Sequence, residues 1–202
     1  MHRFAQISRR TLTALLACAG LALAQAAPAA PANYEIDPEH LSVGFLVDHV
    51  GYAKVLGMFR NASGFYTFDE TTGELTNLRI VVDSASVFSN HKKRDEHLRG
   101  ADFLNSAEFP EMVFTAASGR RDGERGYVIN GELKLLGRAQ PVTLQATWNK
   151  SAEYPFGPKN YAMGVSARGS FKRSAYDMNY AVANGWVGDE VELIIELEAV
   201  RK

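Results

Sequence analysis

A single cysteine stands in this chain, Cys18, and none follows it. Everything downstream therefore lacks a disulfide, a thiol nucleophile, a redox pair and any cysteine-ligated metal. An excess of positive charge is missing too. The formal net charge is −1, and without Arg3, Arg9 and Arg10 the 22 basic residues fall to 19 against 23 acidic ones, a balance of −4. Phosphate neutralisation supplies most nucleic-acid affinity, so a nucleic-acid partner is excluded. Metal ligands are scarce. Beyond residue 26 the only histidines are His40, His49, His91 and His97, whereas a metal site needs three or four convergent ligands. His91 and His97 stand six apart, on different sides of a helix, and His40 and His49 fall at opposite ends of a strand. No metal and no cofactor is expected.

A membrane-spanning run is missing as well. Residues 12–24 are almost all Leu and Ala, but a span needs about 20 apolar residues. The basic start, the apolar middle and the small-x-small site Ala24-Gln25-Ala26 read instead as a cleaved secretory signal peptide, residues 1–26. Ser8-Arg9-Arg10-Thr11-Leu12 resembles a twin-arginine signal, and the general secretory route is equally compatible. Cys18 resembles a lipoprotein site only faintly, because the apolar run continues past it. Export to the periplasm follows as an expectation. Residues 27–32 form an Ala/Pro tether, and residues 33–202 suffice for one domain with a sizeable core.

What that domain has is a period of two. Leu41, Val43, Phe45 and Val47 alternate with polar or small residues, although Leu46 breaks the pattern. The same alternation runs through Leu78, Ile80 and Val82, through Tyr127, Ile129, Leu133 and Leu135, and through Val142, Leu144, Ala146 and Trp148. It returns in Tyr161, Met163, Val165 and Ala167, and in Val191, Leu193, Ile195 and Leu197. Strands of this kind bury one face and wet the other, as antiparallel sheets do. Turn residues separate them at 69–73, 121–124, 136–138 and 155–158. About eight strands with short loops read as a sandwich or an up-and-down barrel, and a barrel removes the exposed edges.

One segment departs from the rhythm. Residues 89–109 read SNHKKRDEHLRGADFLNSAEF, which predicts a short helix over 91–99 capped by Ser89 or Asn90 and ended at Gly100. A further turn over 101–104 brings in Phe103 and Leu104. An insert of this kind packs outside the barrel or lids an opening.

Taken with Ser42-Val43-Gly44-Phe45 and His49, the set Gly57-Met58-Phe59, Arg94-Asp95-Glu96-His97-Leu98, Asp102-Phe103, Gly131-Glu132-Leu133, Pro141-Val142-Thr143-Leu144 and Asp189-Glu190-Val191-Glu192-Leu193 resembles the YceI-like family of bacterial periplasmic proteins. The motifs stand in family order across residues 33–200, with Leu104 where a second aromatic is common. The resemblance implies an all-β, antiparallel eight-stranded lipocalin-like barrel with an apolar tunnel. Such a tunnel would hold a polyisoprenoid or other long-chain lipid, whether a quinone, a prenyl phosphate or a fatty amide, for transport or storage and with no catalysis of its own. Transient exchange with a membrane and pairing of barrels into a homodimer are compatible partners.

From pattern alone an eight-stranded barrel is either filled by side chains or wide enough for one small ligand. The candidate lining is Val43, Phe45, Phe59, Ile80, Val82, Leu98, Phe103, Leu104, Phe114, Ile129, Leu133, Leu144, Ala146, Met163, Val165, Leu193 and Ile195. Small residues, Gly131, Ala146, Ala167 and Gly169, mark where a chain would run or merely relieve crowding. Arg94 and His97 are the candidate headgroup contacts. The competing chemistry is an acid–base cluster of Asp95, His97 and Asp102 acting on an apolar substrate, although no nucleophile or oxyanion donor accompanies it. The alternative role for these charges is structural, with Arg94/Asp95 and His97/Asp102 pairs pinning the insert to the rim.

Overall fold

The computed structural model describes residues 30–202, and ten antiparallel strand segments fill most of them. They are β1 (Ala32–His49), β2 (Ala53–Phe59), β3 (Ala62–Asp69), β4 (Glu74–Asp83), β5 (Val87–Phe88), β6 (Glu111–Asp122), β7 (Gly126–Leu135), β8 (Arg138–Glu153), β9 (Tyr161–Lys172) and β10 (Val187–Arg201). The insert carries one helix, α1 (Lys92–Arg99). The signal-peptide reading lies outside the described residues.

Two pairs of segments are single strands with a flaw. β2 and β3 both run against β1, Phe59 opposite Val43 and Phe65 opposite Glu35, with Arg60 and Asn61 joining them and the irregularity in β1 lying between Ile36 and Leu41. β4 and β5 continue one another in the same way, Val82 opposite Ala62 and Val87 opposite Phe59, around the 3-10 turn Ser84–Ser86. Eight barrel strands result, each beside its neighbour in sequence, and the β1–β10 ladder from Tyr34/Arg201 to His49/Val187 closes the ring. Closure pairs the sheet edges that an open meander would expose.

The alternation expected from the sequence sets the inner face. Across β2, β1 and β10 the inward rows are Val55–Val47–Val191, then Gly57–Phe45–Leu193, then Phe59–Val43–Ile195. The expected turns also form. At 69–73 the Asp69 carboxylate accepts the amides of Thr71 and Thr72, and Gly73 takes φ +72.

The two ends of the barrel differ in what fills them. The end holding the 70–73, 123–125 and 154–160 turns is packed with aromatics. Tyr34 stacks on Tyr66 at 5.2 Å between ring centres, and Phe68 meets Tyr127 at 5.8 Å and Trp148 at 5.3 Å. Glu70 ties that end together, accepting from the hydroxyls of Tyr34 at 2.5 Å and Tyr161 at 2.8 Å. Burial, and then the adjacent carboxylate, push the Tyr34 phenol well above its usual pKa. At the opposite end, which gathers the 50–52 hairpin tip, the 89–110 insert and the 173–186 loop, valines are the commonest inward residue. Short side chains do not reach the barrel axis. The barrel is solid below and hollow above.

Candidate functional site

A cavity of about 620 Å³ occupies the hollow half and opens between the insert, the β1–β2 hairpin tip and the β9–β10 loop. Nine valines contribute to its wall, at 43, 47, 50, 55, 82, 87, 142, 187 and 191. Phe45, Phe59, Ile80, Phe114, Leu133, Leu144, Leu193 and Ile195 complete the deep part, and Leu98, Phe103 and Leu104 come from the insert. With Val43 and Val82, thirteen of the seventeen lining positions expected from sequence face the cavity.

Ile129, Ala146, Met163 and Val165 do not. Ile129 pairs with Leu144 at the bottom of the cavity, while Ala146, beside Ala167, and Val165, beside Trp148, lie one or more rows nearer the packed end. They face inward, as alternation requires, but belong to the floor and the core beneath it. The small residues do not mark the cavity either. A Cβ at Gly131 would stand 2.3 Å from the Phe114 ring, and one at Gly169 would stand 2.7 Å from the Thr143 carbonyl oxygen. They relieve crowding where rings and backbone approach, and the hollow comes from the valines instead.

The insert forms one lip of the opening. Its helix begins one residue later than expected and is capped by His91, whose Nδ1 accepts the Arg94 amide at 3.3 Å, not by Ser89 or Asn90. Asp95 is buried and turns toward Ser89, accepting its amide at 2.7 Å and its hydroxyl at 2.5 Å. Arg94 reaches the same residue, its Nε donating to the Ser89 hydroxyl at 2.7 Å. Arg94 and Asp95 thus meet through Ser89 and form no direct ion pair. Arg99 donates to the carbonyls of Ala85 and Val87. These bonds staple α1 to β5.

Burial alone would raise Asp95, but the two Ser89 bonds, then Arg99 and Arg94, outweigh it and hold the carboxyl below its ordinary 3.8. A depressed carboxyl stabilises fully above its unfolded value and loses that contribution as pH falls through the folded one. Asp95→Asn should cost about 1–3 kcal/mol at neutral pH, because it weakens two bonds to a buried charge. It should also remove a destabilising step below about pH 3.8. Thermal melts of both proteins across acid pH check this, and parallel curves would refute the staple.

His97 and Asp102 do pair, at 2.8 Å, on the exposed outer side of the lip. The His97 ring packs edge-on against Phe103 at 5.0 Å and Tyr180 at 4.9 Å, joining the insert to the β9–β10 loop across the opening. The expected Asp95/His97/Asp102 cluster is therefore divided. Asp95 braces β5, while His97 and Asp102 stand at the rim. Among the described residues no group of three or more His, Asp or Glu side chains could hold a metal.

Arg173 was not expected and anchors the facing lip. It is 2% exposed, and its guanidinium donates to the carbonyls of Gly188, Met178, Tyr180 and Val187 at 2.7–2.8 Å. Among the described residues no carboxylate lies within ion-pair distance of it. Asp189 is held instead by the amide and hydroxyl of Ser174, each at 2.9 Å. Burial pulls the Arg173 pKa below its ordinary value, yet a guanidinium stays charged in proteins. The opening is thus lined by Arg173, Lys93 and Arg94, with His49, His91 and His97, against one acid, Asp48. Basic and imidazole side chains outnumber carboxylates around the opening.

Residues 34–199 match the model of the YceI-like domain. The chain belongs to the YceI-like family. Protein YceI of Escherichia coli O157:H7 is 37% identical over 194 residues, covering 95% of each chain. A UPF0312 protein of Pectobacterium carotovorum is also 37% identical, covering 96% of this chain and 98% of that one. Among solved structures, the Campylobacter jejuni YCEI protein superposes with a TM-score of 0.70 at 26% identity, covering 77% of this chain and 90% of that one. A polyisoprenoid binding domain from Saccharophagus degradans, at 15% identity and a TM-score of 0.61, covers 84% and 98% and shares the fold.

Proposed function

We propose that this YceI-like barrel binds a long-chain apolar molecule of the polyisoprenoid or lipid class in its upper cavity and carries or stores it in the periplasm. The observation that carries the reading is the blind, valine-walled cavity with a cationic mouth. Such a site takes an apolar chain end first and leaves a polar or anionic head at Arg94 and His97. The polyisoprenoid binding domain of Saccharophagus degradans supports the ligand class.

Volume limits what enters. At about 30 Å³ per water-sized group, 620 Å³ admits on the order of 20 non-hydrogen atoms. A longer chain leaves its remainder at the mouth. Against water, that much burial nominally yields about 16 kcal/mol at roughly 0.8 kcal/mol per methylene. Against a bilayer the gain nearly vanishes, since the cavity wall is about as apolar as lipid. The cargo is therefore exchanged with membranes and not trapped. An enzymatic reading based on Asp95, His97 and Asp102 loses its support with the division of that trio.

The test is a ladder of prenyl alcohols of increasing length, titrated into delipidated protein. Affinity should climb with length and then level off once the cavity is full. Ile129, on the floor beside Leu144, sets where the plateau begins. Ile129→Ala should move it to longer chains, at a stability cost of about 2–4 kcal/mol. A profile without length dependence would overturn the reading.

A further inference from the structure

The hairpin tip between β1 and β2 carries side chains that its backbone disfavours. His49, Val50, Gly51 and Tyr52 form a two-residue turn closed by the Tyr52 amide on the His49 carbonyl at 3.1 Å, with φ +56 at Val50 and +72 at Gly51. Asn-Gly suits such a turn, whereas a β-branched residue at positive φ is strained. Val50 is nonetheless there, 43% exposed, beside Tyr52 at 91%. The Val50 amide bonds the carbonyl of Trp186, itself 60% exposed on the facing loop. On the outer wall of β2, Leu56, 62% exposed, pairs with Leu46, the residue that broke the alternation in β1. Val50, Tyr52 and Trp186 thus gather exposed apolar surface with two amphipathic aromatics at the cavity mouth, and Leu56 lies further down β2, beyond the Lys54–Glu192 ion pair.

Charge decides what meets it. Of the nearby acids, Asp102 pairs with His97, Asp177 with Arg138 and Glu192 with Lys54, while Asp48 accepts the Gly51 amide at 2.9 Å within the turn. Lys93, exposed at the mouth, forms no ion pair among the described residues. We infer that the mouth end docks on an anionic lipid bilayer, Val50, Tyr52 and Trp186 entering the interface while Lys93 and Arg94 lie against headgroups. Tyr and Trp favour that depth, and basic side chains add attraction to anionic lipid. A second copy seated on the tip would cap the opening that cargo must pass, whereas a bilayer joins the cavity to a phase of like polarity.

The inference rests on the lipid-carrying reading for its purpose but not for its measurement. Full-length purified barrel should co-sediment with vesicles of phosphatidylcholine and phosphatidylglycerol. Binding should weaken several-fold with phosphatidylcholine alone or at raised salt, and the Trp186 fluorescence should shift blue. The double variant Val50→Asn, Tyr52→Ser should lose at least tenfold in vesicle affinity while melting no lower than the parent, since asparagine relieves the turn. Lys93→Gln should lose roughly fivefold. Unchanged vesicle binding in the double variant would overturn the inference. So would a dimer that the double variant dissolves, without vesicle binding by the parent. The same samples, assayed for prenyl-alcohol binding, separate the two readings. Docking without cargo leaves the bilayer surface standing and removes the carrier, and cargo without docking does the reverse.

Discussion

Replacing Arg173 with methionine should lower the melting temperature by about 10 °C and loosen the lip formed by residues 173–187. The side chain is buried, and its guanidinium supplies donors to four backbone carbonyls, those of Gly188, Met178, Tyr180 and Val187. Methionine fills similar volume but donates nothing, so those carbonyls lose charge-assisted bonds in a region largely closed to water. Leaving a buried carbonyl unpaired costs about 1–3 kcal/mol, four such carbonyls are exposed to that loss, and each kcal/mol is worth about 2–4 °C in a chain of this size. Tyr180 should also lose its edge contact with His97, because Arg173 holds the Tyr180 carbonyl. Limited proteolysis would then cut first within 173–187. A melting shift under about 2 °C would show that water satisfies these carbonyls and that Arg173 does not organise the lip.

The second large effect comes from filling the hollow. Val55 and Val191 flank Val47 in one inward row across β2, β1 and β10, two strands apart and all facing the cavity. Val55→Phe with Val191→Phe places two rings into empty volume without forcing them against one another. Large residues introduced into a tight core cost about 1–3 kcal/mol, but here they gain contacts that a void denies. The double variant should melt at or above the parent temperature and bind prenyl alcohol at least tenfold more weakly. Gain of stability with loss of binding separates a ligand cavity from a structural core. A variant that unfolds would show that the hollow is already closely packed.

Which strands form, and which of their faces turns inward, was legible in Leu78/Ile80/Val82 and in the matching runs of β7 to β10. Alternation reports the face of a strand, however, and not the height along the barrel. That is why alternation groups Ile129, Ala146, Met163 and Val165 with the lining although they belong to the floor and the core beneath it. The missing signal was side-chain size. The large rings at 34, 66, 68, 127 and 148 close one end, while valines at 47, 55, 142, 187 and 191 leave room among the phenylalanines of the other. β2 and β3 escaped the alternation because Gly57 and Gly64 leave gaps in it and the inward face passes from odd to even positions across Arg60 and Asn61. Arg173 was hidden for another reason. In sequence Lys172-Arg173-Ser174 looks like a solvated turn, and only the loop folding back over it gives the guanidinium its carbonyl partners. The motifs of the insert pointed to the mouth correctly, but the lip opposite was invisible until β9 and β10 were brought together.

The central claim is that the upper cavity holds one apolar chain, and organic extraction of the natively expressed protein followed by mass spectrometry tests it most directly. The parent should release a long-chain isoprenoid or lipid in near-equimolar amount, and the Val55→Phe, Val191→Phe protein, purified alongside, should release almost none. A parent that yields no long-chain molecule, or a filled variant that yields as much as the parent, would contradict it.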